Sequence, residues 1–361
     1  MESQNTNYLR SELNGIIPYS PGEQPNLGQK VIKLNTNENP YPPSPKIHEA
    51  IEKILKEGLL RKYPNYNGKF LRESIARKFN LHPDQILVTN GSDEALRLLF
   101  QAVLGPGSTV LVPDPTYSLY PVLCESLMCG IKFNRTALQP NLKFDFKTLK
   151  EQKAHLFAFA HPNAPTGILE EKNDLINFIE SFPGIVLSDE AYIDFAPSQA
   201  SLIDQIQSFP NLVVSRTFSK SYSLAGLRVG YLVGEKETIQ QISKLKDSYN
   251  VGLLEQAIAL AAFEDEDYFQ KNINLVISER ERVTKALREF GFTIPSSHTN
   301  FIFCKPPAGP GPEQIYQTLK EKDILVRYFS TGIAKDYVRI SIGTQTENEI
   351  LISEIKKLIK K

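Results

Sequence analysis

Through the middle of the chain, short apolar runs alternate with stretches whose apolar residues recur every three to four positions. QILVTN precedes GSDEALRLLFQAVLG, STVLVPD precedes PTYSLYPVLCESL, and RVGYLVG precedes EKETIQQISKL; HLFAFAH, GIVLSDE and NLVVSRT are further apolar runs. Runs of about four to six apolar residues predict strands buried on both faces, and the periodic stretches predict helices covering a mainly parallel sheet. Ahead of them, SPKIHEAIEKILKEG sets Ile47, Ile51, Ile54 and Leu55 on one helical face. A sheet of this kind binds its ligand at the carboxyl ends of its strands. Those ends read TNGSDE, PDPTY, HPNAPTG, SDEAY and RTFSK.

After residue 250 the pattern changes. A long helical stretch, LLEQAIALAAFEDEDYFQKN and a charged continuation to Phe290, precedes the strand-like TNFIFCK, a PPAGPGPEQ loop, ILVRYF, YVRISIG and a last amphipathic helix, NEILISEIKKLIKK. Helices followed by a few strands predict a smaller α/β domain beside the first. The expected division is an arm over 1–42 that packs on the small domain and a partner subunit, a large domain over 43–250, and a small domain over 251–361.

Composition narrows the function. The 361 residues are 41% hydrophobic, enough for a large core, and Lys plus Arg equals Asp plus Glu at 41 each. No basic field favours nucleic acid or an anionic membrane, so a polar small molecule or a protein partner is the expected ligand. The start lacks the apolar core of a signal peptide, and no run of about 18 apolar residues spans a bilayer. A soluble cytoplasmic protein is expected. Cys124, Cys129 and Cys304 form no CxxC pair and read as buried or free thiols.

The strand ends carry chemistry. Gly91 and Ser92 open a helix, where free backbone N–H groups and the helix dipole favour an anion, although Ser92 or Asp93 also suits an ordinary cap. Asp189 follows IVLS and sits at the sheet edge, as a ligand-facing carboxylate or as a cap. Lys220 follows NLVVSRTFS, with the hydroxyls of Thr217 and Ser219 beside it and Arg228 eight residues on. An amine, a carboxylate, a phosphate cradle and a second cation on one sheet edge are the parts pyridoxal phosphate requires. A nicotinamide-binding reading lacks GxGxxG between strand and helix, since LGPGSTV has its glycines before a strand. A non-catalytic regulator on the same fold would append a basic DNA-binding module, for which the neutral chain has no spare length.

With DEAY, TFSK, the arginine eight residues after the lysine, PDPTY and PTG all present, the chain resembles the fold-type-I pyridoxal-phosphate-dependent aminotransferases from about residue 15 onward. The resemblance implies that Lys220 binds the cofactor aldehyde and then moves a proton between substrate and cofactor. It further implies that Asp189 pairs with the pyridine nitrogen, that Tyr192 hydrogen-bonds the ring oxygen and that Tyr117 stacks on the ring. Ser92, Asp93, Thr217, Ser219 and Arg228 would hold the phosphate. Where relatives carry Asn immediately before PTG, this chain has Ala164, so that either Asn163 beside it supplies the contact or Tyr192 carries it alone. His161 is given no role.

IIPYSPG, KLNTNENPY, RKYPN, GSDEAL, SKSYSLAGLRVGY, KDSYNVG and YVRISIGT make the chain most similar to the histidinol-phosphate aminotransferases within that superfamily. This similarity implies an exchange of the amino group between histidinol phosphate and 2-oxoglutarate in histidine biosynthesis. Arg339, Arg327 and Tyr19 would bind the substrate. Tyr63 would reach the cofactor phosphate of a partner subunit, making a homodimer the active unit. Aromatic aminotransferases and threonine-phosphate decarboxylases share most of these stretches and stand as alternatives.

Overall fold

The structure, a computed structural model, describes residues 8–26 and 28–359. Residues 1–7 and 27 of the expected arm, and 360–361 at the end of the expected last helix, lie outside the described residues. The strands in chain order are β1 (Ile32–Lys33), β2 (Ile86–Thr89), β3 (Thr109–Asp114), β4 (Lys132–Ala137), β5 (Leu156–Ala160), β6 (Ile185–Asp189), β7 (Leu212–Thr217), β8 (Gly230–Gly234), β9 (Phe301–Cys304), β10 (Ile324–Leu325), β11 (Arg327–Tyr328) and β12 (Val338–Ser341).

Among the described residues, β2 to β8 make a seven-stranded sheet in the order β2-β8-β7-β6-β5-β3-β4. Its pairs are parallel except those of β8, which runs antiparallel to both β2 and β7. The apolar runs explain the layers. In β5 every residue is buried, and successive side chains enter opposite cores. Leu156 and Ala158 pack with Leu96, Leu99 and Phe100 of the helix Gly91–Val103, whereas Phe157 and Phe159 pack with Ile75 and Phe178 on the other face. Strand β4, KFNRTA, buries only Thr136. Being at the sheet edge, it is held by backbone pairing to β3 and shows no apolar run.

Strands β11, β12 and β9 form an antiparallel sheet in that order, and β1 pairs in parallel with β10, so the N-terminal segment is stitched to the C-terminal region. Leu34, Phe301, Ile340 and Leu351 share one core with Val276 and Val283 of the helix Glu266–Glu289. The long helical stretch expected from residue 253 is two helices, Leu253–Phe263 and Glu266–Glu289. Asp265 separates them, its carboxylate taken up by the Ser44 hydroxyl and by Lys46 Nζ at 2.9 Å. The expected PPAGPGPEQ loop ends as the first turn of a helix, Pro312–Lys320, where proline suits the first position because its missing N–H has no partner to lose. No helix among the described residues is long and apolar enough to cross a membrane.

Candidate active site

A cleft of about 500 Å³ opens at the carboxyl ends of β5, β6 and β7, against the first turn of the helix Gly91–Val103. Every side chain expected to hold cofactor or substrate lines it except those of Asn163 and Tyr63.

Lys220 lies three residues past β7, in a turn closed by the Ser219 N–H donating to Thr217 Oγ1 at 3.1 Å and anchored by the fully buried Phe218. Its Nζ donates to the Thr36 carbonyl at 3.0 Å and stands 5.8 Å from the centre of the Tyr192 ring. Desolvation first, then the nearby Arg339 guanidinium, lowers the amine to about 8, so a useful fraction is neutral and nucleophilic near neutral pH.

Asp189 ends β6 and is 3% exposed. Tyr120 donates to its Oδ2 at 3.2 Å, while Oδ1 is buried with no partner among the described residues. Burial raises the carboxyl to about 7, with Asp93 and Glu190 adding to the rise. A buried carboxylate with one free oxygen is suited to a cationic N–H. Tyr120 was not singled out from the sequence. Its signal is the spacing in PTYSLY: a buried phenol one helical turn after Tyr117 must find a partner for its hydroxyl.

Tyr19, Tyr117 and Tyr192 also line the cleft. Tyr117 meets Tyr120 edge to face at 5.7 Å and Tyr19 at 6.2 Å, and Tyr192 is set edge-on to Phe301 at 5.1 Å. Asn37 Nδ2 donates to the Tyr192 hydroxyl at 2.9 Å, a contact absent from the sequence reading.

One end of the cleft is built for an anion. Arg228 donates to Ser219 Oγ at 3.1 Å and to Asp93 Oδ2 at 3.0 Å, and Thr217 Oγ1 donates to Ser219 Oγ at 3.0 Å. Gly91 has φ +75°, and a methyl group there would stand 2.6 Å from Arg228 Nη2. On Gly230 a methyl would stand 2.6 Å from the Ser92 nitrogen, so two glycines keep the cradle open. Free helix N–H groups, hydroxyls and a guanidinium fork are the donors a phosphate takes.

The other end carries two more arginines. Arg327 and Arg339 are direct partners across β11 and β12. Like charges placed opposite one another repel, which a bound anion relieves. Arg339 Nη2 donates to the Asn35 carbonyl at 2.8 Å, and its Nε is buried with no partner among the described residues. Arg327 reaches the carbonyls of Ser20 and Pro21 at 3.3 and 3.4 Å, beside Tyr19.

Asn163 is 1% exposed behind the wall, donating to Thr166 Oγ1 at 3.1 Å, and Ala164 faces the cleft instead. Tyr63 is 80% exposed on the outer surface, stacked on Tyr249 with ring centres 4.5 Å apart. His161 is buried against the Ala200 carbonyl at 3.1 Å.

Residues 29–355 match the family described as aminotransferase class I and II. The chain is 40% identical to histidinol-phosphate aminotransferase of Syntrophus aciditrophicus, covering 99% of this chain and 100% of that one. It is 38% identical to histidinol-phosphate aminotransferase 1 of Trichormus variabilis, covering 98% and 100%. Its fold is similar to that of histidinol-phosphate aminotransferase from Sinorhizobium meliloti in complex with pyridoxal-5'-phosphate, with a TM-score of 0.89, 23% identity and 99% of each chain covered. With a family match over most of its length, relatives spanning nearly all of it, and a cleft that sets an amine, a buried carboxylate and an anion cradle around one space, the chain belongs to the class I and II aminotransferases, the pyridoxal-phosphate-dependent transaminases.

Proposed function

We propose that the protein exchanges the amino group of histidinol phosphate with 2-oxoglutarate, giving imidazole-acetol phosphate and glutamate. The observation that carries this reading is the pairing of Arg327 with Arg339 at the end of the cleft beyond Lys220. One pocket must accept a phosphate in one half-reaction and carboxylates in the other, and paired guanidinium groups suit both. The names of the relatives at 38% and 40% identity point the same way.

Pyridoxal phosphate, when bound, supplies an aldehyde that takes up the amino group and a ring that withdraws electrons from the substrate's α-carbon. Ser92 and Asp93 through their N–H groups, with Thr217, Ser219 and Arg228, bind the phosphate. Asp189 keeps a proton on the ring nitrogen, and its free Oδ1 and low exposure support that role. Tyr117 would cover a face of the ring, and Tyr192 would donate to the ring oxygen, a contact Ala164 cannot make. Lys220 would anchor the cofactor covalently and, once released, would serve as the base that takes and returns the substrate's α-proton. Tyr19 closes over the substrate and excludes water. In this division residues 43–250 hold the cofactor, while 251–361 and the arm 1–42 bring the arginines and Tyr19 over it.

The discriminating measurement is kcat/KM for histidinol phosphate, phenylalanine and threonine phosphate side by side. Histidinol phosphate is expected to lead, and Arg339→Ala to cut its value by about 100-fold, the scale of a lost charge-assisted pair of hydrogen bonds. A preference for phenylalanine, or carbon dioxide released from threonine phosphate, would refute the substrate while leaving the transaminase fold intact.

We further propose a homodimer in which Tyr63 reaches the partner's cofactor phosphate. Exposed Leu60, Tyr63, Phe70, Leu245 and Tyr249 support it, with Tyr63 and Tyr249 stacked on each other at the surface as large apolar side chains that a second copy would cover. Light scattering should return twice the chain mass, and Tyr63→Phe should weaken cofactor binding without changing that mass. A fully active single chain would contradict it.

A further inference from the structure

We propose that Asn37 is a positioning residue that directs the proton of Tyr192 toward the cofactor; this rests on the reading of Tyr192 as donor to the ring oxygen. Asn37 ends a three-residue bend, Asn35 to Asn37, that follows β1 and Leu34. Each residue of the bend holds one group of the cleft. The Asn35 carbonyl accepts from Arg339, the Thr36 carbonyl from Lys220 at 3.0 Å, and the Asn37 amide donates to the Tyr192 hydroxyl at 2.9 Å. The first two are backbone contacts open to any residue. The third depends on the side chain.

Asn37 is 1% exposed and has φ +56°, a left-handed conformation that Asn and Gly adopt at low cost. Its N–H donates to Ser341 Oγ at 2.9 Å, its carbonyl accepts from Asn300 Nδ2 at 2.9 Å, and its Oδ1 accepts from the Ser341 hydroxyl at 2.9 Å. That last bond assigns the amide. Ser341 is 1% exposed and already receives the Asn37 N–H, so its own proton needs an acceptor, and Asn37 Oδ1 is the one in reach. The amide nitrogen therefore faces Tyr192.

A phenol has one proton and two lone pairs. Tyr192 spends a lone pair on Asn37 and keeps its proton, for which no described residue provides an acceptor. The charged groups that act on the hydroxyl are Arg339, Asp189 and Asp93, and Lys220 Nζ stands 5.8 Å from the ring centre; the amide is the group in direct hydrogen-bond contact with it. With the amide reversed, its oxygen would take the proton and the ring oxygen would lose its donor.

The readout is the pH at which the absorbance band of the bound cofactor changes as the nitrogen joining it to Lys220 loses its proton. A hydrogen bond from Tyr192 favours negative charge on the ring oxygen and competes for that proton, so weakening the bond raises the transition pH. Tyr192→Phe is expected to raise it by about one unit, the scale of one hydrogen bond to a charged group. Asn37→Gly, which keeps the backbone conformation, and Ser341→Ala, which frees the amide to reverse, should each raise it by about half a unit, threefold in the proton equilibrium. In the Tyr192→Phe background neither should add anything. Wild-type titration of both single variants beside a shifted Tyr192→Phe would overturn the role of Asn37 and leave that of Tyr192 standing. An added shift in the double variants would also overturn it, since Asn37 would then act without Tyr192. A Tyr192→Phe enzyme that titrates as wild type would overturn both readings together.

Discussion

Lys220→Ala is expected to leave a folded protein that holds pyridoxal phosphate without any adduct fixed by borohydride, and whose turnover is down by at least about ten-thousandfold. The expected loss is large because in the proposed function one side chain serves as anchor and as proton carrier, and a general base alone contributes 10²- to 10⁴-fold in typical enzymes. Folding should survive, because the lysine's hydrogen bond is to a backbone carbonyl and the turn is held by Thr217, Ser219 and Phe218. The wild-type lysine also has a pH signature. Its amine is held down to about 8, so covalent capture of the cofactor by the free protein should rise about tenfold per pH unit below that value and level off above it. Stopped-flow absorbance measures this directly. An adduct that persists in Lys220→Ala, or capture that still climbs well beyond pH 9, would remove the lysine from its place.

Asp189→Asn should lose most of the rate while retaining fold and some cofactor, because an amide cannot hold a proton on the ring nitrogen by charge. A deficit of about 3 kcal/mol, the order of a hydrogen bond to a buried charged group, corresponds to more than 100-fold in turnover. The same substitution should stabilise the cofactor-free protein. Burial raises the folded carboxyl to about 7 from the ordinary 3.8, so the folded state binds a proton more tightly than the unfolded state and loses stability as pH rises between those values. Asparagine carries no such penalty. The Tm advantage of the cofactor-free Asp189→Asn protein should therefore grow from about pH 4 to about pH 7 and stay constant above, and should reverse when cofactor is bound. Near-normal turnover, or a Tm difference independent of pH, would return Asp189 to the plain role of ending a strand.

Much of the architecture was legible in the chain itself. Strands such as LFAFA and LVVSRT are buried on both faces, and continuous apolar runs are what that burial demands. The helix after β2 and the last helix carry their periodicity openly. What escaped was held by contacts of another kind. The edge strand KFNRTA is half solvated and paired through its backbone, and β1 is two residues held by parallel pairing to a segment nearly three hundred positions away. The split at Asp265 depends on Ser44 and Lys46, which no local pattern announces.

The candidate site divides in the same way. Lys220, Asp189 and Arg228 could be read from the sequence because each stands at or near a strand end, and strand ends locate the cleft; Tyr192 came from the family resemblance. The groups that aim them could not. Tyr120 reaches Asp189 across 69 positions, Asn37 reaches Tyr192 across 155, and the Thr36 carbonyl reaches Lys220 across 184. A backbone carbonyl has no residue type to recognise, and an amide or phenol acquires its role only when folding brings its partner within hydrogen-bond range. By itself the sequence determined the doubly buried strands and the periodic helices, where the cleft lies and which reactive side chains enter it. Only the tertiary structure decided which hydrogen bonds orient those side chains, because directional contacts depend on distances and angles that apolar periodicity does not encode.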